Sequence, residues 1–67
     1  TKQAKLFREL SADERIVMEL LKENKEASID FLVLQSRMSN SKIAAVLLEL
    51  EFDGAVKSLP GKMYRAL

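Results

Sequence analysis

The chain has no cysteine, no histidine and no tryptophan, with one proline and two glycines. Without cysteine, neither a disulfide nor a thiolate metal site can brace the fold. Without histidine, the commonest general base and the commonest metal ligand are both missing. No apolar run approaches the roughly 20 residues that span a bilayer, and no signal-peptide pattern is present. These absences lead us to expect a cytoplasmic protein with no membrane, metal, cofactor or small-molecule partner. No nucleophile–base pair can be assembled, so a binding module is expected rather than an enzyme. The glycines do not form a phosphate loop either. Gly54 and Gly61-Lys62 are too far apart, and Met63 follows the lysine where a hydroxyl residue is needed.

What is present describes a compact domain. Of 67 residues, 48% are apolar and 31% charged, a balance that suits a folded chain rather than a disordered one. A chain this short buries only about 60% of its unfolded surface, so its stability is marginal. The first residue is Thr1, not Met, and the expectation is a domain belonging to a longer protein. Net charge is +1 but unevenly spread. Residues 1–8 carry Lys2, Lys5 and Arg8 with no acid, and residues 54–67 carry Lys57, Lys62 and Arg65 with no acid. All 10 acids lie in residues 9–53. Attraction to phosphate is therefore expected at the two ends.

Residues 1–9, with Leu6 and Phe7 as their only large apolar side chains, read as a linker remnant. Ser11-Ala12-Asp13-Glu14 matches a capping box. Ile16, Val17, Leu20 and Leu21 after it share a helix face, and the spacing predicts a helix over 12–23. Ala27-Ser28-Ile29 predicts a short strand. Asp30 is the expected N-cap of a second helix over 31–37, with Leu32, Val33 and Met38 facing inward. Ser39 is the expected cap of a third helix over 40–52. There Ile43, Val46, Leu47 and Leu50 form the stripe of a helix with one buried face. Gly54 ends it, because glycine enters the left-handed region without penalty. Residues 55–59 and 62–67, hinged on Pro60-Gly61, read as a hairpin, although the spacing of Val56 and Leu59 leaves its inward faces unassigned. A strand from Ala27-Ser28 would keep that hairpin from being an isolated ribbon. The order gives a small α+β fold, a winged helix-turn-helix of three helices plus a C-terminal β-hairpin wing, over residues 10–67.

The chain also resembles a known family. Leu10-Ser11 with Glu14, Leu20-Leu21, Ser28-Ile29-Asp30 with Leu32, and above all Leu47-Leu48-Glu49-Leu50-Glu51 followed by Gly54, Val56, Leu59-Pro60-Gly61 and Tyr64 carry the likeness. It is to the C-terminal winged-helix domain of DNA-processing protein A, the DprA or Smf family. The resemblance implies a parent protein that binds single-stranded DNA and loads the RecA recombinase during natural transformation. It further implies that the main single-strand site lies in a Rossmann-like domain outside this chain. Phe31 and Leu34 depart from the family, which usually carries polar residues there.

Two candidate DNA surfaces emerge. In a helix-turn-helix the second helix of the motif enters the major groove N-terminal end first, which selects Asn40, Ser41 and Lys42. Asparagine pairs with adenine edges and lysine reaches guanine. Glu49, Glu51 and Asp53 on the same helix would repel flanking phosphates, and Ser and Asn also serve simply as turn and cap residues. The wing offers Lys57, Lys62 and Arg65, about three phosphate contacts and thus a shallow salt dependence near −3. Set against this, lysines on a hairpin also block edge-to-edge aggregation. The resemblance implies that Tyr64, at a position usually aromatic in the family, packs under the wing as core rather than serving as a stacking platform.

Phe31 and Leu34 are the candidate protein-interaction residues, unless Leu6 and Phe7 fold back over them. Candidate partners are DNA, weakly bound, the rest of a DprA-like parent chain, RecA, or a second DprA subunit. The alternatives are a transcription regulator's winged helix and a purely structural cap.

Overall fold

The computed structural model describes residues 10–67. Residues 1–9, expected to be a linker remnant, lie outside the described residues, as does any cover from Leu6 and Phe7. Among the described residues six elements follow in chain order: α1 (Ala12–Asn24), β1 (Glu26–Ser28), α2 (Ile29–Ser36), α3 (Asn40–Phe52), β2 (Val56–Leu59) and β3 (Met63–Ala66).

Helix α1 starts where its capping box dictates. The Glu14 N–H donates to Ser11 Oγ at 3.2 Å, and the Ser11 N–H donates to Glu14 Oε1 at 2.9 Å. Two backbone donors that a helix start leaves without partners are thereby satisfied. The inward face of α1 is narrower than the apolar pattern implies. Val17 and Leu21 are fully buried, with Glu14 beside them at 5% exposure, but Ile16 is 41% exposed and Leu20 only half-buried. The buried positions recur at i, i+3 and i+7, so Ile16, one residue off that line, turns outward.

The cap of α2 is Ser28, not Asp30. The Phe31 N–H donates to Ser28 Oγ at 3.1 Å, and the helix begins at Ile29. Both residue types can cap. The strand settles the choice, because Ser28 still has the extended backbone (ψ 163°) that an N-cap requires. Asp30 instead sits in the first turn, where its charge favours the helix dipole. Leu32 is fully buried, whereas Val33 and Met38 are half-buried at the rim of the core. The helix ends on Arg37 in the left-handed region (φ 64°).

Ser39 caps α3 as expected, accepting from the Lys42 N–H at 3.1 Å. Ile43, Val46, Leu47 and Leu50 are all buried. The far end is closed by a Schellman arrangement: the Ala55 N–H donates to the Leu50 carbonyl at 2.8 Å and the Gly54 N–H to that of Glu51 at 3.0 Å, with Gly54 at φ +80°. Leu50 and Ala55, both buried, supply the apolar contact that accompanies this motif.

The chain then forms the hairpin. Leu59 pairs with Met63 across a loop of Pro60, Gly61 and Lys62, with proline where φ is fixed and Gly61 at φ +82°. The sheet is antiparallel in the order β1-β3-β2, so the expected third strand exists and β3 lies between two neighbours. The register assigns the faces. Ala27, Val56, Tyr64 and Ala66 turn toward the core, and Glu26, Lys57 and Arg65 form a row on the other side. Leu59 falls on that outer side by alternation, which explains its awkward spacing from Val56. Tyr64 is half-buried against the core, as expected.

Candidate nucleic-acid interface and the exposed helix face

The three candidates at the start of α3 diverge. Successive residues on a helix are about 100° apart, so Asn40, Ser41 and Lys42 point in three different directions. Asn40 lines a cleft with Gly61 and Lys62 of the wing loop and Ser28 and Asp30 of the α2 start. Ser41 faces outward. Lys42 points back to α1, where Nζ lies 3.0 Å from Asp13 Oδ2. This pair bridges two helices at a solvent-exposed site, and such pairs contribute at most about 1 kcal/mol.

The wing candidates also separate. Lys62 occupies the loop with φ +60°, near Asn40. Lys57 and Arg65 are direct cross-strand partners on the outer sheet face, and both are exposed. Like charges placed opposite one another destabilise a ladder, unless an anion or a neighbouring acid offsets them. Glu26 is the other cross-strand partner of Arg65.

The fold adds two cations that sequence reasoning missed. Lys22, near the end of α1, and Lys25, in the turn after it, line a groove of about 420 Å³ together with Leu21, Glu26, Arg65 and Ala66. Lys22, Lys25, Arg65 and Lys57 therefore make a continuous basic surface with Glu26 as its one acid. Among the described residues none of these four cations has an ion-pair partner within 4.0 Å. The surface exists because β1 pairs with β3, which carries the α1–β1 turn to the wing; no local pattern in residues 20–26 announces it.

The outward side of α3 is of a different character. Ser41, Ala44, Ala45, Leu48 and Phe52 are exposed along it, with Leu48 at 68% and Phe52 at 81%. A major-groove helix needs donors on that side, and beyond the Ser41 hydroxyl this one presents methyl groups, a leucine and a phenyl ring. The candidate pair on α2 splits: Phe31 packs partly against the core, and Leu34 is 76% exposed. Among the described residues no group of acids could hold a metal ion, and no helix is long and apolar enough to cross a membrane.

Three helices in this order, the second and third joined by a three-residue turn and followed by a hairpin joined to a short first strand, define a winged helix-turn-helix domain. Domains of this fold generally bind DNA or protein. The family model of the DprA winged helix domain matches residues 2–62, and the chain belongs to that family. No curated protein and no solved structure matches the chain.

Proposed function

We propose that this domain is an accessory DNA-contacting module of a DprA-like protein. It would hold phosphates on the basic surface of Lys22, Lys25, Lys57 and Arg65 rather than read bases with α3. The observation that carries this reading is the convergence of four cations from three separate stretches of chain onto one surface. Phosphate attraction is sequence-independent and dominates weak DNA binding. Along the outward face of α3, Ser41 at the N-terminal end is followed only by Ala44, Ala45, Leu48 and Phe52, which favours phosphate contact over base reading. In the parent, the family resemblance supports single-stranded DNA binding and RecA loading in natural transformation, in the cytoplasm, with this module adding grip to a main site elsewhere in the protein.

Titration of the chain with short single- and double-stranded DNA at two salt concentrations tests the proposal. Four phosphate contacts give a slope of log K against log salt of about −3 for single strands. Lys25→Glu and Arg65→Glu each lower that slope by about 1 or more, and Lys62→Ala changes it less. Absence of amide-shift changes at low salt removes the reading.

A second reading, contact with protein, is favoured by the exposure of Leu34. Leu34→Ser then leaves the fold intact and weakens association of this domain with the rest of the parent chain or with RecA. If both tests are negative, a structural cap is the remaining role.

A further inference from the structure

The outward face of α3 is self-complementary, and we infer that it docks against the same face of a second copy of this chain, with the two helices antiparallel. Ser41, Ala45, Leu48 and Phe52 succeed one another at spacings of 4, 3 and 4, the seam of a helix that packs on another helix. The small residues lie in the N-terminal half and the large ones in the C-terminal half. Antiparallel pairing places Phe52 of one copy over Ser41 of the other, and Leu48 over Ala45, so large meets small at every layer.

Charge obeys the same rule. Lys42 and Glu49 lie two turns apart on one flank of the seam, and both are exposed. In an antiparallel pair each Lys42 comes opposite Glu49 of the second copy, twice across the two-fold axis. Asp13, which faces Lys42 from α1, extends this into a three-membered charge network per side. The other flank carries Glu51, held by the Ser58 hydroxyl donating to its Oε2 at 3.1 Å. A parallel arrangement would instead set Phe52 against Phe52 and bring Glu49 of one copy to the flank that carries Glu51 of the other. The two-fold contact is isologous, as most homodimer contacts are.

Two faces of this length bury about 800 Å² in total, at or below the low end of specific interfaces. The contact is therefore weak alone and gains strength where copies are already concentrated by other contacts. It leaves the basic surface free and is independent of the phosphate reading.

Sedimentation of the 67-residue chain between about 50 μM and about 1 mM, the range in which a small interface dissociates, reads the association. Reversible dimer formation is expected, lost in Phe52→Ser, whose side chain is too exposed to support the fold. Lys42→Glu alone and Glu49→Lys alone each weaken the dimer at least tenfold. An equimolar mixture of those two variants restores it, because both cross-pairs are then opposite in sign. A chain monomeric at the upper concentration overturns the inference. So does a dimer indifferent to Phe52→Ser, or a mixture no more associated than its components.

Discussion

Gly54 shows how much a single residue decides. It stands at φ +80° with nothing within 4 Å of where a Cβ would sit, so an added methyl group meets no obstacle. Gly54→Ala therefore isolates the backbone term, and it should lower stability by about 1–2 kcal/mol, measured by urea unfolding. A much larger loss would mean that the space is not open, and no loss would mean that the helix can end without the left-handed turn. Arg37, Lys25 and Lys62 reach positive φ without being glycine. Lys25 and Arg37 stand at the ends of α1 and α2, and Lys62 closes the wing. The chain thus relies on lysine and arginine at positions where glycine would relax the backbone.

Helix α3 separates burial from exposure across one peptide bond. Leu47 is 1% exposed and its neighbour Leu48 is 68% exposed. Leu47→Ala should cost about 2–5 kcal/mol, enough to unfold a domain of marginal stability, while Leu48→Ala should stay within about 0.5 kcal/mol. Thermal unfolding followed by circular dichroism compares the two, and equal effects would contradict the packing. This helix is the most legible element in the sequence, since its period, its serine cap and its glycine stop all agree. The second helix is less so. Ser28 and Asp30 are both capping types, and what selects Ser28 is that the preceding strand stops there and not at Ile29, a boundary set by its pairing with β3. The basic surface is half legible: Lys57 and Arg65 stand out as an acid-free run, whereas Lys22 and Lys25 sit among acids in sequence. They join the others only through pairing between residues 26–28 and 63–65. The apolar outer face of α3 is written in Ala45, Leu48 and Phe52, but the buried stripe beside it accounts for the pattern first.

At the scale of the whole molecule, helices and sheet share a single core. Val17 and Leu21 of α1, Leu32 of α2, the α3 stripe, Ala27 of β1 and Val56 of β2 belong to one cluster. Such a domain should unfold in one step. Tyr64, the only tyrosine in a chain without tryptophan, lies on β3 and provides a fluorescence signal from the sheet, while far-ultraviolet dichroism tracks the helices. The two denaturation curves should coincide in midpoint and slope, and separation of the midpoints would show that the sheet melts independently of the helices.

The central strand has a consequence for how the chain is made and broken. Both ladders of the sheet run through β3, which is the last of the three strands in sequence. During synthesis, then, β1 and β2 wait without partners until residues 63–66 appear. A protease that opens the Pro60–Lys62 loop and frees β3 from the domain would leave both earlier strands unpaired at once.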